Sequence, residues 1–381
     1  MSEKLLIPAA LQVCLDDVGW WCGRDDRKIG GPSRTGFVRD HCALDYRAIH
    51  ELGKAIDQKI FCAFVMGEWD MDNRLGREVP YFSHFGDKWN NSAYRDRAQM
   101  EEAVNVVNSS DYIDICIHGL YHGYYKDGNF NKDTSDYYFR PERHVLDMIP
   151  EDEVRLRLDH FMRLYEEHGF KKPITGFVPP SGAHRGFEIS KILHGYGVRY
   201  IIASFYRLMR YTDLPDPSVL DGVFVENDIV TVKEQVKSRE VQWYACDENF
   251  SDLEPIFGVM GLHWPNILNP DPEKHGETLK NLVPYFERCR NTFGIIISKD
   301  TAEAATQELC RKYARVIKTD EGYLVDLENV PYASGCRDNF VISLKSPPKK
   351  LEGCDVLGVE KHDEFISYRV RPAGKRIAVV W

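Results

Sequence analysis

Two pairs of polar residues end apolar runs at points where side chains of their types could work together. The run Leu11 to Leu15 leads directly into Asp16 and Asp17. Adjacent carboxylates are not stable inside a core, so they belong at the end of a strand, on the rim where parallel α/β sheets build their sites. Neighbouring negative charges oppose each other's ionisation unless a cation offsets them, which leaves a metal site or a solvated turn as readings. The run Ile113 to Ile117 leads in the same way into His118-Gly119-Leu120-Tyr121-His122. Imidazoles four residues apart can converge on one ion; otherwise they are unrelated histidines of an exposed loop. The spacing also occurs in H-E-x-x-H metalloproteases, but Gly119 stands where their glutamate base would be, which excludes that mechanism. Taken together, the pairs offer a His, His, Asp set with an open position for water, the make-up of a catalytic zinc-type site. Cobalt, nickel, iron and manganese accept the same donors, so the expected cofactor is one divalent metal ion, zinc foremost.

The elements that must position these residues read as βα units. Apolar runs at Leu11 to Leu15, Ile60 to Met66, Ile113 to Ile117, Ile174 to Val178, Val198 to Ala203, Val241 to Tyr244, Gly258 to Leu262 and Phe293 to Ile297 alternate with helix-period segments. The clearest helix is Glu151 to His168, with acidic residues in its first turn, Val154, Leu158, Phe161 and Tyr165 on one face, and Gly169 as its stop. Further helices are expected at Asp45 to Asp57, Ala98 to Asn108, Gly186 to His194, Pro272 to Arg290 and Thr301 to Lys312. This pattern predicts an α/β barrel over residues 1–313. Short alternating segments separated by Gly and Pro then predict a small C-terminal antiparallel β domain over 314–381. Two long connections, Gly67 to Arg95 and Tyr121 to Pro150, are rich in aromatics and have the length of lids or binding loops. The second also suits a contact between copies, which is compatible with a homo-oligomer.

Composition narrows the partners. Hydrophobic residues at 43% and charged residues at 28% describe a packed protein. With 49 Lys and Arg against 59 Asp and Glu, the net charge of -10 opposes nucleic acid and anionic lipid, and the densest basic stretch, Lys345 to Lys350, is broken by Pro347 and Pro348. No apolar run approaches the roughly 18 residues of a membrane span, and Met1 to Ala10 has no secretory pattern, so the expected location is cytoplasmic. The ten cysteines show no C-x-x-C pair and are read as reduced, mostly core residues.

At these positions the sequence resembles the polysaccharide deacetylase family, also called the NodB-homology or carbohydrate deacetylase family. Leu15-Asp16-Asp17 is similar to its Asp-Asp motif and His118 to His122 to its H-[ST]-x-x-H motif. Val178-Pro179-Pro180-Ser181-Gly182 is similar to R-x-P-[YW]-G, and Leu262-His263 to its later Leu-His motif. The resemblance implies a deformed (β/α)7 barrel, so the eighth apolar run would be an extra or antiparallel strand. It also implies Asp16 as catalytic base, Asp17, His118 and His122 as metal ligands, and His263 as general acid. The substrate class it implies is an N-acetylated carbohydrate or related small amide, and the reaction hydrolysis of a C-N bond other than a peptide bond. Gly119, Val178 and Ser181 depart from the family's Ser or Thr, Arg and aromatic residue.

In such a reaction the backbone N-H of Ser181 could hold the oxyanion. Trp20 could offer a flat face to a sugar ring or be core. His184 could point into the pocket, and Asp247 could orient His263 or be a solvated loop residue. Two rival readings are a metal hydrolase of a glycosidic or non-sugar bond, and a catalytically silent carbohydrate-binding or scaffold protein on the same barrel.

Overall fold

The computed structural model describes residues 4–22, 37, 39–126, 135–139, 147–182, 184, 188–203, 222–236 and 253–381. In chain order the elements begin with β1 (Leu5–Leu6), β2 (Ala9–Val18), α1 (Ala43–Ile56), β3 (Ile60–Phe64), α2 (Leu75–Glu78), α3 (Arg97–Ser109) and β4 (Ile113–Ile117). They continue with β5 (Tyr138–Phe139), β6 (Asp147–Met148), α4 (Glu151–Glu167), β7 (Ile174–Phe177), α5 (Glu188–Gly195), β8 (Tyr200–Ala203), β9 (Val223–Glu226) and β10 (Ile229–Val236). Then come β11 (Val259–His263), α6 (His275–Arg290), β12 (Ile295–Ile297) and α7 (Thr301–Tyr313). The last strands are β13 (Arg315–Lys318), β14 (Gly322–Asp326), β15 (Phe340–Leu344), β16 (Lys350–Glu352), β17 (Cys354–Lys361), β18 (Ile366–Pro372) and β19 (Arg376–Val380).

Seven parallel strands close into a barrel in the order β2-β3-β4-β7-β8-β10-β11, and β11 pairs back onto β2. Strand alternation divides the side chains between two layers. Cys14, Phe61, Ala63, Cys116, Tyr200, Ile202, Val230, Val232 and Val259 form the inner cluster. Val13, Leu15, Cys62, Phe64, Ile115, Met260 and Leu262 belong to the outer cluster, which includes Ile49 and Leu52 of α1 and Leu158 and Phe161 of α4. The last barrel helix, α7, adds Ala305 and Leu309 to the inner cluster, while its Glu308 accepts a hydrogen bond from the Ala10 N-H at the start of β2 (2.9 Å). That helix covers the end where β2 begins and leaves the end where the strands finish for the site.

The eighth apolar run is β12, an extra strand beside Ala9–Leu11 and outside the ring, as the resemblance implied. Val241 to Tyr244, expected as the sixth barrel strand, lies outside the described residues; the place between β8 and β11 is taken by β10. Its sequence, Val230-Thr231-Val232-Lys233-Glu234-Gln235, is interrupted by polar residues and so does not read as an apolar run. Among the described aromatics of the two long connections, Trp69, Phe82, Trp89, Tyr121, Tyr124, Tyr125, Tyr137 and Tyr138 are buried in the outer cluster, while Tyr81 and Tyr94 are exposed, at 42% and 58%. The surface of the buried rings extends the core over one side of the barrel, because rings of this size gain more from burial than from facing water.

Beyond α7 two four-stranded sheets, β1-β15-β18-β17 and β13-β14-β19-β16, enclose a small core of Leu5, Val325, Phe340, Ile342, Leu344, Val370, Ile377 and Val379. Leu5 and Leu6 pair with Leu344 and Ser343, so the start of the chain joins the C-terminal sheets. Arg369 of β18 pairs with the buried carboxylate of Glu303 on α7, tying sheets to barrel. The described cysteines are unbridged, and no described helix is long and apolar enough to cross a membrane.

Candidate metal centre

Asp17, His118 and His122 come together at the strand ends. Asp17 lies where the pairing of β2 with β3 shifts register, and its φ of 64° turns the carboxylate out of the strand's alternation. His118 follows β4 directly, held by a backbone hydrogen bond to the Phe64 carbonyl (2.9 Å). Its Nδ1-H donates to the Val178 carbonyl (2.8 Å), which fixes the ring with Nε2 toward Asp17. His122 sits at φ 59°, in the left-handed region, and brings its own Nε2 to the same side. Each Nε2 is 3.6 Å from Asp17 Oδ1.

These separations suit a shared ion. Two donors bound tetrahedrally at about 2.0–2.2 Å lie roughly 3.3–3.6 Å apart. The Nε2 of His118 is buried and has no hydrogen-bond partner, a costly state for a polar atom that an ion among these three donors would relieve. Burial opposes charging of this imidazole. Interaction with the nearby Asp17, with the charge of Asp16, outweighs it and raises the His118 pKa above the ordinary value. Two neutral imidazoles and one carboxylate are a chemically apt set for zinc and its neighbours.

Asp16 and His263 meet across the seam that closes the barrel, where their residues are paired in register. Asp16 is half-buried, continuing the row of Gln12 and Cys14, and His263 Nε2 lies 3.9 Å from Asp17 Oδ2. Both residues expected to move protons therefore flank the three-donor set. A residue that the motifs did not reveal joins them. Glu234 on β10 offers a carboxylate that, with Cys14 and Asp16, forms a second group of ligand-type atoms lying within 4.8 Å of one another. Room for it comes from Gly261, where a Cβ would lie 2.5 Å from Glu234 Cδ. Burial, then the charges of Asp16 and Glu234, hold the Cys14 thiol well above the usual range, so it stays protonated and donates toward Asp16 Oδ1 (3.9 Å). The period-two spacing of Val230, Val232 and Glu234 is the signal that could have found this residue.

The remaining expected residues are placed as follows. The Ser181 N-H, at φ 57°, donates to His122 Nε2 (3.3 Å), so it is at the site and engaged with that imidazole. Trp20 is 1% exposed and stacks on the His122 ring with centroids 5.5 Å apart; it backs a donor and has no face open to a sugar. His184, expected in the pocket, is instead buried with Nε2 3.4 Å from Glu226 Oε1; Thr231 and Ser190 donate hydrogen bonds to the same carboxylate. A buried imidazole is held where a carboxylate can offset its polarity, and for His184 that partner is on β9. Asp247 lies outside the described residues.

No family model matches the sequence, and no curated protein matches it. Among solved structures, that of Agd3, described as a novel carbohydrate deacetylase, aligns with a TM-score of 0.51 at 10% identity, over 98% of this chain and 65% of that one. The chain therefore spans less than two thirds of that protein's length. A family 4 carbohydrate esterase from Streptomyces lividans, in complex with acetate, aligns at a TM-score of 0.35 and 10% identity, over 78% of this chain and 95% of its own. A mutant of BA3943, a CE4 family pseudoenzyme with restored activity, aligns at 0.36 and 14%, over 79% and 68%. At these identities likeness speaks for fold, and the Agd3 alignment carries it: the chain has the carbohydrate-deacetylase fold in a divergent form, as the motifs suggested.

Proposed function

We propose that this protein is a metal-dependent deacetylase that removes an acyl group from an N-acetylated carbohydrate or a related small amide. The observation that carries the reading is the convergence of Asp17, His118 and His122 beside Asp16 and His263 at the strand-end mouth of a closed seven-stranded barrel. Asp17 and the two Nε2 atoms would hold the ion. When bound, it would supply Lewis acidity, polarising an amide carbonyl and making water a nucleophile near neutral pH.

The chain's own groups have separate tasks. Asp16, on the inner row of β2, would accept the proton of the attacking water at its carboxylate. His263, across the seam, would deliver a proton to the departing nitrogen from its imidazole. The Val178 carbonyl keeps the proton of His118 on Nδ1, so that Nε2 is the donor atom. The Ser181 N-H would turn from His122 Nε2 to the developing oxyanion once that nitrogen is engaged elsewhere.

Acetate release from N-acetylated sugars and oligomers, assayed with zinc or cobalt, tests the reading. Asp16→Asn and His263→Ala should each lower turnover by about 10²–10⁴ while metal content stays at the wild-type level. Wild-type rates in either variant would refute the role given to that residue, and no release from any acylated sugar or amide would refute the activity.

A further inference from the structure

We propose that Asp136 is a positioning residue that locks the turn carrying His118 and His122 into the conformation that aims both imidazoles at Asp17; the inference rests on the metal-site reading above. The turn has an unfavourable backbone. Gly119 has φ 98° and His122 has φ 59°, so two of five residues are in the left-handed region, one of them a non-glycine. Such a turn persists only where its surroundings over-determine it.

Asp136 provides that constraint. Its Oδ1 accepts hydrogen bonds from the backbone N-H groups of Leu120 and Tyr121, both at 3.0 Å, and the His122 backbone N-H also interacts with the carboxylate. Three successive amides of the turn thus face one buried carboxylate. The carboxylate also fills the space beside Gly119: a Cβ there would overlap Oδ2 and lie 2.7 Å from Cγ. Glycine at 119 and aspartate at 136 are therefore a matched pair, 17 residues apart in sequence and joined through space. Asp136 is itself fixed by its neighbours. Ser135 N-H donates to the Tyr138 carbonyl (3.0 Å), Ser135 Oγ accepts from the Tyr137 and Tyr138 N-H groups, and Tyr137 packs edge-on against Phe177. The acceptor is thus held by strand β7 of the same barrel that bears the histidines. The hydrogen bonds of the Asp136 carboxylate go to backbone amides of the turn, so its effect on the site acts through backbone geometry.

The test compares wild type, Asp136→Ala and Asp136→Asn by zinc titration calorimetry and by hydrogen exchange of the Leu120 to His122 amides. Asp136→Ala should weaken zinc binding by about 10–100-fold, the usual effect of losing a group that orients metal ligands. Asp136→Asn, which keeps one acceptor oxygen without the charge, should lose less. In both, exchange at Leu120 and Tyr121 should accelerate while protection in β2, β3 and β4 stays at the wild-type level. Unchanged affinity with unchanged protection at those amides would overturn the proposal, as would a uniform loss of protection across the barrel, which would mark a general packing role. Should wild type bind no zinc, the metal reading fails and exchange still decides whether Asp136 holds the turn. If Asp136→Ala does not fold, Asp136→Asn decides alone.

Discussion

The loop that leads away from His263 is pinned to the barrel by one buried carboxylate, and removing its charge should cost a measurable share of stability. Asp45, in the first turn of α1, accepts hydrogen bonds from both terminal nitrogens of Arg39 (2.9 and 2.8 Å), pairs with His41 Nδ1 (2.8 Å), and pairs with His275 Nε2 (2.8 Å) at the start of α6. Arg39 reaches on to the Pro270 carbonyl, and His41 stacks on Trp264, the residue after His263, with centroids 3.8 Å apart. Burial alone would raise the Asp45 pKa, but the hydrogen bonds from His275, His41 and Arg39 outweigh it and hold the carboxyl well below the usual carboxylate range. Asp45→Asn keeps the volume, removes the charge and sets an amide NH2 against a donor. Breaking a buried pair of this kind costs about 3–5 kcal/mol. At about 2.1 cal/mol/K per residue, the 381 residues unfolding as one unit lose about 1.3 °C of Tm per kcal/mol, so the variant should melt about 4–6 °C lower.

The pH dependence has a definite sign. A carboxyl with a depressed folded pKa stabilises above its unfolded value, near 3.9, and that contribution disappears as pH falls through the folded value. Urea titrations of wild type and Asp45→Asn should therefore differ at pH 7, with the difference shrinking as pH falls below about 4. A difference under about 0.5 kcal/mol at pH 7, or one that does not shrink below about pH 4, would refute the reasoning.

Two further perturbations probe the scaffold. At Gly176 in β7 a Cβ would lie 2.5 Å from Phe61 Cε2 and 2.9 Å from Cys116 Cβ, both in the packed barrel interior, so Gly176→Ala should destabilise by about 1–3 kcal/mol in a denaturant titration; wild-type stability would show that the interior can yield. Arg369→Ala strips the buried Glu303 of its cation and should cost about 3–5 kcal/mol, with calorimetry resolving separate transitions for barrel and C-terminal sheets if this pair couples them; one unchanged transition would deny the coupling.

The parts of this protein that could be read from its sequence are those governed by local rules. Buried parallel strands such as Ile60–Phe64 and Ile113–Ile117 are uninterrupted apolar runs, and polar residues that end them must surface at the rim, which is why the Asp16-Asp17 and His118-His122 pairs were legible as a site. Strand β10 was not, because its polar residues break the run, and Glu234 went unnoticed with it. The two-residue strand Leu5–Leu6 carries too little pattern to be assigned, and its partner lies more than 330 residues away in the C-terminal sheets. Asp136 was hidden for a different reason. Its task is to accept hydrogen bonds from a turn brought near by folding, and neither spacing nor periodicity records that proximity. His184 shows the reverse case, a histidine two residues past Gly182 whose side chain turns to Glu226 on β9.

Zinc binding to wild type and His122→Ala, each stripped of metal and titrated in parallel by calorimetry with melting followed as zinc is added, tests the central claim most directly. The account predicts one zinc per wild-type chain, a stabilisation of about 2.7 kcal/mol when free zinc is 100 times the Kd, and loss of both in the variant. Equal binding, or equal absence of binding, in the two proteins would contradict a metal centre at Asp17, His118 and His122.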